Sequence, residues 1–396
     1  MSFPLEGVRV LELGQIIAGT YGGLVLSDLG AEVIKIEPPE GDLGRIPSVA
    51  PYRGVSTLFL TFNRNKKSVV LNLKSAEGRE LFYGLVKVAD VVLDNFRSGV
   101  LERLGIDYAR LSAVNPRIIH CSVTGFGTEG SYKDYPALDL VIQAISGYLS
   151  ITGEPGRPPA RVGIPLADLC GGIFSCKAIL AALYQRSRTG RGCRVETSMF
   201  DGMLNLLSYM GTHYLNTGEV PTPQGSAHEF TVPWQAFPAR DGYVVIATRQ
   251  DEFWRRLCAV LGRPELAEDP RFATNPARLE HRAELIPILE QIVRTRTVSE
   301  WLEKLRAAGV PAAPVNDLRG AFSEPPVAER GMIVEYEHPE VGRVRLPGNP
   351  IKIAGVQGTI SRPAPRLGEH TEAVLAELLG LSAERIAELR RIGAVK

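Results

Sequence analysis

The sequence predicts an α/β protein: a large domain built on a largely parallel sheet, with a second, smaller α+β domain. Three observations carry this. Through the first two hundred residues, short β-type runs alternate with helical runs at the spacing of βαβ units. Near residue 200 the alternation gives way to long helical runs. A polar segment containing Pro and Gly, EVPTPQGSAHE (219–229), then separates the two regimes. The length, 396 residues, fits two or three domain-sized units.

In chain order, VRVLELG is a β run ending in Gly14, and QIIAGTYGGLVLSDLG is a Gly-rich entry into a helix that ends at Gly30. AEVIKIE and KSVVLNL (67–73) are further β runs. SAEGRELFYGLVKVA is amphipathic and reads as a helix, DVVLDNF as the next strand, and RIIHCSVTGFG as a strand ending in glycines. MFDGMLNLLSYMGTHYLNTG is a long helical run. QAFPARDGYVVIAT reads as a hairpin turning near Asp241 and Gly242. Helices follow to about residue 308, including EFWRRLCAVLG and VSEWLEKLRAAG. GVPAAPVNDL starts the way back, and RVRLPGNPIKI to LGEHTEAVLAELLG gives short strands and a closing helix. The expected domains are 1–200 (large, first part), 201–228 (linker helix and loop), 229–315 (small) and 316–396 (return linker and remainder of the large domain).

Composition narrows the function. Hydrophobic residues are 44% and charged residues 22%, as in ordinary globular proteins, and the net charge of +1 argues for neither nucleic acid nor a membrane surface as partner. The N-terminus lacks the pattern of a signal peptide, and no uninterrupted apolar run looks long enough to span a bilayer. Cys121, Cys170, Cys176, Cys193 and Cys258 form no CxxC pair, which points to a reducing compartment and a cytoplasmic protein, a mature organellar matrix being the alternative. Six scattered histidines offer no zinc-type spacing, so no metal is expected. Gx4GK[ST], GxSxG and HExxH are absent.

Four places carry candidate chemistry. In DYPALDLVIQAISG (134–147), Asp139 stands alone at the mouth of an apolar helix, as a helix N-cap or as a nucleophile. ELGQIIAGTYGG is not GxGxxG, yet a helix start offers N–H groups to an anion; the other reading is close helix–strand packing. Arg64, Lys66, Lys67 and Lys74 surround one strand, as a solvated edge or a polyphosphate cradle, and Asn95, Arg97 and Arg103 follow the next. Asp168, in GIPLADLCGGIFS, is an N-cap or a functional acid. His228 lies in the linker.

Taken together, these blocks resemble the class III CoA-transferases, the family of carnitine CoA-transferase and formyl-CoA:oxalate transferase, whose superfamily includes alpha-methylacyl-CoA racemase. The resemblance runs from LEGVRVLELGQIIAGTYGG and LGAEVIKIEPPEGD through NRNKKSVVLNLK, DNFRSGVLERLG, ALDLVIQAISG, ADLCGGI, FPARDGYVVIA, DPRFATNPAR and GVPAAPVND to LGEHT. It implies a Rossmann-like large domain made of the N-terminal half and the C-terminal tail, a small domain inserted between them, and a homodimer of interlocked rings. It implies no prosthetic group: a CoA thioester is the substrate, and a carboxylic acid the second partner.

The resemblance makes Asp139 the nucleophile. Its carboxylate attacks a donor acyl-CoA to give a mixed anhydride, and the CoA thiolate then attacks that anhydride to give an aspartyl-CoA thioester. The acceptor acid reverses both steps. The glycines after Gly14 are expected to supply N–H donors for the oxyanions. Leu71, Lys74, Asn95, Phe96 and Arg103 match CoA-binding positions, and Ile17 and Ala18 stand in the matching loop. Lys35 is given no role, and Pro38 replaces a basic residue of the formyl-CoA enzyme. The racemases read GHD and carry an acidic residue in a small-domain strand; here Leu138 and Pro238 stand at those places, so only Asp168 of the racemase set remains. That favours transfer over 2-methylacyl-CoA racemisation. A thioester-binding protein without turnover is the third reading. Ile17 before Ala18-Gly19 argues against oxalate, and GSAHEFTVPWQAF looks more like enzymes pairing succinyl-CoA with a dicarboxylic or hydroxy-dicarboxylic acid. Arg45, Arg53 and Arg161 are candidates for a distal carboxylate.

Overall fold

The computed structural model describes residues 2–47, 50–356 and 362–396. The early alternation becomes a six-stranded parallel sheet: β1 (Arg9–Glu12), β2 (Glu32–Glu37), β3 (Lys66–Val70), β4 (Val91–Asp94), β5 (Ile119–Thr124) and β6 (Arg194–Ser198). The spatial order is β3-β2-β1-β4-β5-β6. This is the Rossmann order, and it reverses direction between β1 and β4, where such sheets bind ligands beyond the strands' carboxyl ends. The sequence reading missed β6. It is an edge strand whose residues stay largely open, so no apolar run marks it.

One face of the sheet is apolar. Leu11, Leu13, Ile34, Ile36, Val69 and Val92 pack beneath α2 (Ala76–Lys87) and two C-terminal helices, Thr371–Leu379 and Ala383–Arg391. Phe82 of α2 is 0% exposed there, a burial that contributes roughly 1.5–3 kcal/mol. Ser75 caps α2 by accepting the Gly78 N–H. On the other face, period-two alternation places Glu12, Lys35 and Lys66, each at most 1% exposed, toward α1 (Ala18–Asp28). Two further helices matter for function: α3 (Asp139–Ile145) and α4 (Leu166–Thr189). Glycines let α1 and α4 approach closely. A Cβ on Gly172 would lie 2.8 Å from the Tyr21 Cβ and 3.0 Å from the Ala18 carbonyl oxygen.

By length and composition α4 is apolar enough to cross a bilayer, although Asp168 and Lys177 interrupt it. Here its buried face, including Ala167, Cys170, Gly171, Gly172 and Ile179, packs within this unit.

The chain divides into two units. The first holds 1–147, 162–219 and 326–396, and the second holds 148–161 and 220–325. Segment 148–161, read with the large domain from sequence, groups with the second unit. That unit has a three-stranded antiparallel sheet in which Trp234–Pro238 and Tyr243–Ala247 form the expected hairpin and Ala312–Pro314 pairs alongside. Its own core contains Trp254, Phe272 and Trp301.

Candidate active site

The first unit carries a cavity of about 370 Å³ where the sheet order reverses. It is lined from the loop after β1 (Gln15–Ala18), the loop after β4 (Asn95–Ser98), the end of β5, and the starts of α3 and α4. Its first wall is the Gly14–Ile17 loop. Asn95 clamps it, accepting the Gln15 N–H at 2.8 Å and donating to the Gln15 carbonyl at 2.9 Å. Asp42 accepts the Ile16 N–H at 3.0 Å. Ile16 sits at φ 63°, a left-handed conformation that a β-branched residue adopts only when its surroundings enforce it.

The enforcement comes from buried charge. Lys35 lies 2.7 Å from Asp42 and 3.2 Å from Glu12, and donates to the Gly14 carbonyl at 2.6 Å. Lys66 takes the other Glu12 oxygen at 2.7 Å. Glu37 receives Arg45 at 2.6 Å and Ser68 at 2.6 Å, and accepts the Asp42 N–H at 3.0 Å. Burial alone would pull the Lys35 ammonium down, but Asp42 and Glu12 outweigh it and hold it above the usual lysine range. Burial brings Lys66 down to about 8, against the pull of Glu12.

Asp139 also lines the cavity, and it is not a cap for its own helix. Leu138 is the N-cap of α3, and Asp139 is the first residue inside. Its carboxylate instead reaches the start of α4, which has Pro165 at its N-cap and no side-chain cap of its own. Oδ1 accepts the Ala167 N–H at 2.8 Å and the Asp168 N–H at 3.4 Å, and Oδ2 accepts Gln143 Nε2 at 2.7 Å. A carboxylate at a helix N-terminus is stabilised by both the N–H groups and the dipole. Asp168 likewise is no N-cap: it lies within the first turn of α4 and lines the same cavity. Burial, and then the Asp139 charge, push its carboxyl up to about 7.

The fold brings Ile17, Ala18, Asn95, Phe96, Asp139 and Asp168 to one cavity. Three residues matched to CoA-binding positions do not line it. Leu71 is 1% exposed within the apolar core, so its side chain offers a ligand no surface. Lys74 and Arg103 are exposed and carry no ion pair among the described residues. The basic cluster read as a polyphosphate cradle is largely engaged internally: Arg64 pairs with Asp28 at 2.5 Å, Lys66 with Glu12, and Lys67 with Glu32. Arg45 is held by Glu37, and Arg53 donates to the Val341 carbonyl at 2.9 Å. The glycines expected to offer N–H groups to an oxyanion, Gly19, Gly22 and Gly23, lie inside α1, which starts at Ala18 and has no side-chain cap; the preceding Gln15 and Ile16 N–H groups already have acceptors. His228, in the second unit, stacks on Trp234 at 4.7 Å and accepts the Phe230 N–H at 3.0 Å, a structural role. Among the described residues no group of three or more His, Cys, Asp and Glu could hold a metal.

Sequence reasoning passed over Gln143 and Lys133. Gln143 had a readable signal: it lies one turn after Asp139, and i,i+4 neighbours share a helix face. Lys133, which lines the cavity, had none.

The profile of CoA-transferase family III matches residues 5–371. An acetyl-CoA:oxalate CoA-transferase of Acetobacter aceti is 41% identical over 96% of this chain and 97% of its own. A succinyl-CoA:glutarate CoA-transferase of Homo sapiens is 36% identical over 99% and 90%. A CAIB/BAIF family protein from Brucella suis has a crystal structure that superposes with a TM-score of 0.85 at 39% identity, covering 96% of this chain and 100% of that one. A Rossmann-ordered sheet with its cavity at the reversal point, a profile match across most of the chain and relatives of nearly equal length lead to one conclusion: the chain belongs to CoA-transferase family III and is an enzyme of the transferase type.

Proposed function

We propose that the protein moves CoA from an acyl-CoA donor, with succinyl-CoA the first candidate, to a dicarboxylic acid, and that Asp139 is the nucleophile. The observation that carries this reading is the placement of the Asp139 carboxylate. It faces the cavity and is held by the start of another helix rather than closing its own. Asp139 attacks the thioester carbonyl, the carbon–sulfur bond breaks, and CoA leaves as thiolate while a mixed anhydride forms. The thiolate attacks the Asp139 carbonyl of that anhydride, and the donor acid departs. An incoming carboxylate repeats the sequence backwards. The uncapped first turn of α1 is a natural place for the oxyanion of the first attack, with Ile17 and Ala18 at its head. Asn95 and Phe96 shape the same wall, and Arg97 and Lys133 are the cavity's cations for the charges of thioester and acid. Lys74 and Arg103, exposed and without ion pairs among the described residues, remain our candidates for the phosphates of CoA.

The relatives' names support a dicarboxylate: oxalate and glutarate both are, as are the citramalate and mesaconate of two further succinyl-CoA relatives. The argument from Ile17 against oxalate loses force beside a 41% identical oxalate transferase, so oxalate belongs in the acceptor panel. Racemisation lacks support because Leu138, 69% exposed and lining the cavity, cannot take a proton. We place the enzyme in the cytoplasm, in keeping with five unpaired cysteines. We also propose the interlocked homodimer.

The test is covalent trapping. After incubation with succinyl-CoA or acetyl-CoA, hydroxylamine or borohydride should modify the peptide that carries Asp139, and Asp139→Asn should abolish both label and turnover. Turnover retained by Asp139→Asn sinks the reading.

A further inference from the structure

Ile16 lines the cavity with its backbone in the left-handed region. Among the described residues, the other non-glycine positions with positive φ are Ala50, Arg53, Asn65 and Ser208. None of them is β-branched and none lines the cavity. A left-handed β-branched residue persists only where its surroundings over-determine it, and such sites cluster at functional centres. Here one buried carboxylate supplies the constraint. Asp42 Oδ1 accepts the Ile16 N–H at 3.0 Å and the Gly44 N–H at 2.7 Å, and Oδ2 lies 2.7 Å from Lys35 Nζ. A single oxygen thus ties two loops together, and both reach the cavity: Gln15 to Ala18 from one, Leu43 from the other. Lys35 in turn donates to the Gly14 carbonyl at 2.6 Å, so the first loop is held on either side of Gln15. Asp42 does not line the cavity itself and acts only through the backbone it holds.

We propose that Asp42 is a positioning residue for CoA transfer: by holding Ile16 in the left-handed conformation, it sets the wall against which the thioester lies. This rests on transfer taking place in this cavity and is independent of which of its carboxylates attacks. No bond is made or broken at Asp42. An unheld Ile16 relaxes toward negative φ, which swings the Ile16–Ile17 peptide out of its present orientation and with it the approach to the start of α1. Glycine at position 16 has no such preference, because it takes either sign of φ about equally readily. The role of Asp42 is therefore tied to the side chain at position 16, and that tie can be measured.

The test is a double-mutant cycle on CoA exchange from succinyl-CoA or acetyl-CoA to glutarate or oxalate, run at temperatures where calorimetry shows each variant folded. Asp42→Ala removes the acceptor of the Ile16 N–H, and kcat/KM should fall on the order of 10²-fold. Introduced into Ile16→Gly, the same Asp42→Ala change should cost less than about tenfold relative to Ile16→Gly alone. Asp42→Asn keeps an oxygen for the two amides while losing the charge beside Lys35, and should lose about fivefold or less. Should Asp42→Ala fail to fold, Asp42→Leu combined with Lys35→Met removes both charges together and takes its place in the cycle. Equal losses in the Ile16 and Ile16→Gly backgrounds, or equal losses from Asp42→Asn and Asp42→Ala, overturn the proposal, since Asp42 would then serve only as the counter-charge of Lys35. Turnover retained by Asp139→Asn sinks the assignment of the nucleophile and leaves this comparison untouched.

Discussion

At the scale of single residues, the two acids of the cavity are separated by their surroundings. Asp139 is given N–H donors on both oxygens, whereas burial and the Asp139 charge hold the Asp168 carboxyl up to about 7. The consequence for stability has a definite sign. In the unfolded chain Asp168 ionises near its ordinary value of 3.8, while in the fold it keeps its proton until about 7. Between those values the native state binds more protons than the unfolded state, so this residue's contribution falls as pH rises through that window. Asp168→Asn cannot ionise. Its melting temperature, measured against wild type by calorimetry, should therefore gain more at pH 8 than at pH 4. A gain independent of pH would mean that Asp168 ionises in the fold much as it does when unfolded. Asp139 drew notice in the sequence as a carboxylate before an apolar run, a pattern that an ordinary N-cap also gives, and the structure places it in the cavity. Its partner Gln143 could have been read from the i,i+4 spacing, but the Ala167 amide could not, because it lies far along the chain.

At the scale of elements, the parallel register turns dispersed charges into a scaffold. Glu12 of β1 lies directly beside Lys35 of β2, and Val33 of β2 beside Lys66 of β3. Three cations, Lys35, Lys66 and Arg45, thus meet Glu12, Glu37 and Asp42 beneath the Gly14–Ile17 loop. The alternation of strands and helices was legible because apolar periodicity is local. The assignment of Lys66 and Lys67 was not, because their carboxylates, Glu12 and Glu32, are brought alongside only by strand pairing. Asp42→Asn keeps an acceptor for the Ile16 N–H but removes the nearest counter-charge of a buried lysine. It should cost about 3 kcal/mol in urea unfolding, and a loss below about 0.5 kcal/mol would show that Glu12 alone suffices. Gly172→Ala probes the helix contact instead. Its Cβ would press on the Tyr21 Cβ and the Ala18 carbonyl, neither of which can swing away, so about 1–3 kcal/mol should be lost. Because α1 and α4 together position Ala18 and the Asp139 anchor, the Gly172→Ala variant should also lower kcat at temperatures where it remains folded.

At the scale of the whole molecule, the question is what covers the apolar surface around α3 and the helices that follow α4. Leu138, Leu140, Val141 and Ile145 on or beside α3 are 45–69% exposed, and so are Ile164, Ile173 and Tyr184 at 42–67%. The helices Met199–Leu206 and Ser208–Thr217 add Leu204, Leu206, Tyr209, Tyr214 and Leu215, the last 80% exposed. Scattered surface leucines need no explanation, but a run of them over successive elements marks an interaction surface. We propose a partner copy as the occupant: the interlocked homodimer proposed above would cover such a surface on each chain, and a net charge of +1 raises little repulsion between copies. The expectation is a particle of twice the chain mass by analytical ultracentrifugation that does not dissociate on dilution to nanomolar concentration, as befits an obligate interface. Leu204→Glu combined with Leu215→Glu would place two carboxylates in that interface. The pair should yield monomer or aggregate and lose transferase activity, even though neither residue lines the cavity that holds Asp139. A monodisperse, fully active monomer, from either wild type or the double variant, would remove the dimer from the account and leave the site intact within one chain.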